Sequence, residues 1–127
     1  MDNIFLGKKL VAVHVRRFPD AKTMPVTSPN EALQLLTLKR MKGDIIKAHL
    51  HVPKKRVTKG LQECTIVIKG KIRCDLFDKE VKCFRKVFVR EGEAMLTLGV
   101  AHSVHFLEDS LVYELKNGPF IDDKKFI

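Results

Sequence analysis

The stretch "GDIIKAHLHVPKKRVTKGLQECTIVIKG", residues 43–70, carries the pattern that decides the fold. Its first part, residues 44–52, places His49 and His51 one residue apart in an apolar, β-prone run. Because alternate residues of a β-strand share a face, Lys47, His49 and His51 are expected to project together. Two imidazoles on one rigid strand suit a shared metal ion. The sequence therefore predicts a strand at 44–52 that presents a candidate site.

Short apolar runs separated by turn residues continue on both sides of this stretch. Many short strands with turn signals every eight to twelve residues indicate an all-β sandwich or barrel. One segment conflicts, because Ser28-Pro29-Asn30-Glu31 has the form of a helix start. The apolar residues of 31–41 do not fall on one helical stripe, however, so a strand is favoured there over a helix. The other predicted strands cover residues 9–18, 61–70, 71–78, 81–90, 93–100, 102–108 and 110–118.

The length and charge of the chain limit the functions that it can have. A chain of 127 residues fits one domain, 1–127. Residues 39–59 hold eight basic side chains against one carboxylate, a net charge of +7 within a total of +9. That field favours an anionic partner. No aromatic residue lies between Phe18 and Phe77, so the basic region lacks the stacking platform of a nucleic-acid site, and a small anionic metabolite fits better.

Three cysteines at spacings that match no zinc motif predict reduced thiols in a reducing compartment. The first residues lack the pattern of a signal peptide, and no run of 18 apolar residues predicts a membrane span. We therefore expect a soluble, cytoplasmic protein with no nucleic-acid and no membrane partner.

The spacing of glycines and histidines resembles the two motifs of the cupin superfamily. In the first motif, around 43–70, five residues separate Gly43 from His49, and six separate Glu63 from Gly70. The second, around 92–105, is "GEAMLTLGVAH", which ends at His102. The chain departs from the family in the eleven residues between His51 and Glu63, where three or four are usual. The tail "ELKNGPF", residues 114–120, is similar to that of small stand-alone cupins associated with sugar-nucleotide genes.

The resemblance implies a single-domain cupin jelly roll, a β-barrel or double-stranded β-helix, that forms a homodimer. It implies a divalent metal ion (Fe, Mn, Ni, Co or Zn) held by His49, His51, Glu63 and His102. His51 and Lys47 are then candidate acid–base residues. Lys54 and Arg56, on the inserted loop, are candidate ligands for a substrate anion.

Three functions are compatible with this reading. The first is a metal-binding cupin that acts on or binds a small anionic metabolite, which the tail suggests is sugar-related, with oxygenase chemistry among its options. The second is a metal-free sugar-nucleotide epimerase or isomerase, with His51 as the base and Glu63 orienting it. The third is a non-catalytic sensor. Metal content separates the first from the second, and turnover separates both from the third.

Overall fold

A computed structural model describes all residues, 1–127, and confirms the all-β class. The strands are β1 (Asp2–Leu6), β2 (Lys9–Val15), β3 (Thr23–Pro25), β4 (Leu36–Leu38), β5 (Glu63–Lys69), β6 (Lys71–Phe77), β7 (Cys83–Arg90), β8 (Ala94–Thr97), β9 (Ala101–Phe106) and β10 (Leu111–Lys116). None of its segments is a helix of the length and apolar character that crossing a membrane would need.

Two antiparallel sheets face one another across the main core. The larger has the strand order β1-β2-β8-β5-β10, and the smaller has the order β7-β6-β9. Residues of both sheets form one buried apolar cluster, in which Val67 and Met95 of the larger sheet meet Ile72, Leu76 and Val89 of the smaller. Alternation places these side chains on the inner faces. Burial between the sheets is thus the main source of stability.

The outer face of the larger sheet is also covered over β2, β8 and β5, which explains the nearly continuous apolar character of β2. Val13, Cys64 and Leu96 form a second buried cluster on that face. Leu33 and Leu35, from the segment between the short hairpin strands β3 and β4, pack against it. The buried Cys64 is therefore a core residue on the face opposite to Glu63.

The β5–β6 turn requires the glycine that the sequence pattern singled out. Gly70 has φ 96°, a left-handed conformation that favours glycine. A Cβ built there would lie 2.6 Å from the Asp109 carbonyl oxygen and 2.8 Å from the Ser110 Cα. The close approach lets the loop before β10 pass beside this turn.

Three structural expectations differ from the structure, namely the strand at 44–52, the length of the strand over 31–41 and the closed barrel. Residues 44–52 form no strand, and the strand expected over 31–41 shrinks to Leu36–Leu38. The helix-start signature makes only a turn, in which the Glu31 amide donates to the Ser28 carbonyl at 3.0 Å. No ladder joins the two main sheets, so no closed barrel is present.

Candidate functional site

Two of the predicted site residues meet between the sheets. Glu63 begins β5 in the larger sheet, and His102 lies on β9 in the smaller. His102 Nε2 lies 2.8 Å from Glu63 Oε2, and the two side chains are 25% and 16% exposed. Both follow from alternation, because Val67 on β5 and Val104 on β9 share these inner faces with the main core. The pair therefore closes one end of the space between the sheets.

The hydrogen bonds of His102 define its protonation. Its Nδ1 lies 2.8 Å from the Val100 carbonyl oxygen, which only accepts, so Nδ1 carries a proton. The hydrogen bond with Glu63 raises the pKa of His102 and lowers the pKa of the Glu63 carboxyl. Both shifts favour the charged forms. The geometry and both shifts therefore favour an imidazolium that donates both N–H groups, one of them to a carboxylate.

A second cation adjoins the pair from the neighbouring strand. Lys116 on β10 is paired in register with Glu63, and its Nζ lies 3.5 Å from Glu63 Oε1. Lys116 also lies 3.7 Å from Glu114, and the two carboxylates raise the pKa of the lysine. This end of the sandwich therefore alternates positive and negative groups.

The other predicted site residues lie apart from this pair. Lys47, His49 and His51 sit in an exposed segment without strand pairing, where the two imidazole centroids lie 5.1 Å apart. Lys54 and Arg56 are likewise exposed and outside any strand. No three metal-binding side chains come together in this structure. The structure thus joins Glu63 with His102 and leaves the histidine pair free of the sheets.

A cavity of about 450 Å³ lies beside the start of β5. Leu61 and Gln62, which precede Glu63, line it together with Gly99 from the turn before β9. Lys9 and Lys59 also line it. Glu31 also lines the cavity, whereas Lys54 and Arg56, the predicted ligands for an anion, do not.

Sequence reasoning missed a second histidine–carboxylate pair. His14 on β2 is 4% exposed, and its Nε2 lies 2.9 Å from Glu93 Oε1. Glu93 is the second residue of "GEAMLTLGVAH", and nothing in that stretch points to His14. The signal that was available is the position of His14 within the buried run of β2, where an unpaired imidazole would cost free energy.

Glu63 and His102 supply two of the ligands that a metal site needs. A carboxylate oxygen and an imidazole nitrogen converge within 2.8 Å, and a backbone carbonyl fixes the other ring nitrogen, as is usual for a ligating histidine. Two protein ligands are fewer than a resident divalent ion normally has. The set becomes sufficient only if His49 and His51 join it.

Comparison of the chain with protein-family models, with curated proteins and with solved structures found no match in any of the three.

Proposed function

We propose that the chain is a small cupin-like jelly-roll protein that binds a divalent metal ion and a small anionic metabolite at the Glu63–His102 end of the sandwich. The contact of these two residues across the sheets is the observation that carries the proposal. They lie 39 positions apart and belong to different sheets, yet the two sequence motifs put them in one ligand set. From β7 to β10, consecutive strands alternate between the facing sheets, which supports a jelly-roll connectivity.

The missing ligands have a place to dock. β9 is at the end of the smaller sheet, so one of its edges makes no backbone ladder. Residues 44–52 are β-prone, and their apolar side chains are exposed, with Ile45 at 84% and Leu50 at 80%. Pairing of this segment with the β9 edge would satisfy backbone groups and would bury Ile45 on the same face as His49 and His51. The paired segment could turn either of its two faces toward the core, and one of these orientations places His49 and His51 beside His102.

The residues of the site would have distinct roles. Glu63, His102, His49 and His51 hold the ion, and the Val100 carbonyl keeps His102 oriented. His102 must give up its Nε2 proton to become a ligand, so binding is weaker at acid pH. The ion supplies a Lewis acid that polarises a carbonyl or carboxylate oxygen. Lys116, Lys59 and the basic segment attract the anionic part of the metabolite.

Elemental analysis of the untagged protein tests this proposal. We expect about one metal ion per chain after incubation with Fe(II), Mn, Ni, Co or Zn. The double variant His49→Ala/His51→Ala and the variant Glu63→Gln should each lose it, and the control His105→Ala should keep it. Amide exchange of residues 44–52 should slow when the metal binds, because the segment pairs with β9. Wild-type protein that takes up none of these metals would refute the proposal.

A metal-free isomerase acting on a nucleotide-linked ketosugar is the second candidate, favoured by the hydrogen bond between His102 and Glu63. An imidazolium held by a carboxylate is a general acid with a proton ready to donate. The base would be His51 or Lys47, brought near by the same docking of 44–52. Incorporation of solvent deuterium beside the ketone of such a sugar, by metal-free protein and not by His102→Asn, would establish this activity. A lack of exchange with metal-free protein would exclude it.

We also propose that two copies pair. Leu111, Tyr113 and Leu115 lie on the outer face of β10, an edge strand, and are 47% to 67% exposed. An isologous contact between two such edges would cover them. A mass of twice 14.5 kDa by light scattering, reduced by Tyr113→Lys, supports pairing, and a monomer at all concentrations contradicts it.

A further inference from the structure

A cleft of about 210 Å³ lies on the open side of the sandwich, between the outer strand of each sheet. Its walls come from β1 and β2 of the larger sheet and β7 of the smaller. His14, which lines the cleft, contacts Glu93, and Glu93 directly precedes Ala94 at the start of β8. Glu63 pairs with Thr97 at the other end of β8, so the cleft lies away from Glu63. The cleft is therefore distinct from the site described above.

The walls of this cleft are strongly basic. Arg16 is held by Asp2 at 2.8 Å. Arg85, Lys86 and Arg90 also line the cleft, and none of these three makes an ion pair. Three unpaired cations around one small space create a local positive potential. Guanidinium groups bind oxyanions in bidentate fashion, so arginines in particular suit such a ligand.

The floor of the cleft carries a hydrogen-bond acceptor. His14 lines the cleft, and its Nε2 lies 2.9 Å from Glu93, whose carboxylate can only accept, so Nε2 carries the proton. Burial lowers the pKa of His14, which favours the neutral imidazole, whose Nδ1 has a lone pair. Nδ1 makes no hydrogen bond within the chain, and no buried side-chain polar atom lacks a partner, so Nδ1 is open to the cleft.

We propose that this cleft binds a small oxyanion that carries a hydroxyl group, of which hydrogen phosphate is the simplest. Arg85, Lys86 and Arg90 supply the positive potential that attracts the charged oxygens, and His14 Nδ1 accepts a hydrogen bond from the hydroxyl. Glu93 is a positioning residue, because its second oxygen also accepts from the Arg90 amide at 3.1 Å and so fixes its orientation. The space, equal to roughly seven water volumes at about 30 Å³ each, accommodates one phosphate group.

The choice of ligand follows from the mixture of donors and one acceptor. Sulfate and hydrogen phosphate are similar in size and charge at neutral pH, but only hydrogen phosphate has a hydroxyl to donate. A site of cations alone would hardly distinguish them. With the His14 acceptor, hydrogen phosphate gains one hydrogen bond, and sulfate instead places an oxygen against a lone pair.

Calorimetric titration at constant ionic strength tests the proposal with inorganic phosphate and with sulfate. We expect phosphate to bind about fivefold more tightly than sulfate, or better, in wild-type protein. Arg85→Gln/Arg90→Gln, at exposed positions outside the core, should weaken phosphate binding by about tenfold or more. The control Lys124→Gln/Lys125→Gln removes the same two charges from the exposed tail and should leave both affinities unchanged.

The role of His14 has its own measurement, which does not depend on whether a variant folds. Phosphate should shift the nitrogen resonance of His14 Nδ1 in wild-type protein, and sulfate should shift it much less. His14→Phe, where folded by circular dichroism, should bind the two anions equally. Equal affinity for both anions in wild-type protein would overturn the hydroxyl preference. Equal weakening by the arginine variant and the tail control would overturn the site itself.

Discussion

Removing the contact between Glu63 and His102 by a double-mutant cycle should reveal a coupling free energy between the two side chains in unfolding, and this coupling should depend on pH. The variants are Glu63→Gln and His102→Asn, singly and together. Asn keeps a donor where His102 Nδ1 bonds the Val100 carbonyl and removes only the Nε2 contact. Gln keeps the size of Glu63 and removes its charge. The double-mutant cycle therefore isolates the ionic contact.

The magnitude follows from the burial and geometry of the pair. Exposed ion pairs contribute about 0–1 kcal/mol, and breaking a buried pair costs about 3–5 kcal/mol. Here the side chains are 25% and 16% exposed, and the contact of 2.8 Å is a charge-assisted hydrogen bond. Such bonds contribute about 1.5–3 kcal/mol, so we expect a coupling energy near the lower bound, about 1.5 kcal/mol.

The sign of the pH dependence follows from the two pKa shifts. His102 has a raised pKa in the folded chain, so its contribution is complete below the ordinary value of 6.5 and is lost as the pH rises through the folded pKa. Glu63 has a lowered pKa, so its contribution is complete above 4.5 and is lost as the pH falls through the folded pKa. The coupling should therefore be largest between these two ordinary values.

Urea unfolding of the four proteins, followed by circular dichroism at several pH values, measures this coupling. The exposed pair Lys82–Glu80, whose side chains are 76% and 77% exposed, is the matched control and should show no measurable coupling. A Glu63–His102 coupling below about 0.5 kcal/mol at every pH, or one that grows toward alkaline pH, would refute the reasoning.

Two further predictions concern packing and reactivity. Gly70→Ala should lower the free energy of unfolding by about 2 kcal/mol or more, because the new Cβ meets backbone atoms at a position of positive φ. Gly118→Ala, where a Cβ has nothing within 4 Å, should change it little. Urea unfolding compares the two variants, and equal effects would contradict the steric argument. The exposed Cys83 should react with a thiol reagent in the folded protein. Burial raises the pKa of Cys64 and Cys74 to about 11 and should keep these two thiols unreactive until the chain unfolds. Equal reaction rates of all three thiols in the folded protein would contradict the core placement.

Alternation of apolar residues predicted the strands that have one face in the core. From β5 to β10, the expected and observed ranges agree to within a few residues, because each strand has an inner face in the core. The strand at Asp2–Leu6 was missed, since only Ile4 of that strand is deeply buried and the pattern is short. The segment 44–52 has the right alternation but lacks a partner, which local sequence cannot reveal.

The candidate site was predictable only in part, for a related reason. Motif spacing placed Glu63 and His102 in one set, and the folded chain brings them together. His14 and Glu93 are 79 positions apart, and nothing in their local sequences ties one to the other. Only the register of β2 against β8, which sets His14 beside Met95, brings the histidine near Glu93. Long-range pairing of this kind is a property of the sheet and not of its strands.

The exposed segment 44–52 has a consequence for how the protein behaves at high concentration. An unpaired, apolar, β-prone stretch is a template for self-association. The basic residues around it carry the net charge of +7, so copies of the segment repel one another. Salt near 1 M shortens the screening length to about 3 Å and weakens that repulsion. Colloidal stability should therefore fall as ionic strength rises, because the lysines no longer prevent this segment from self-associating.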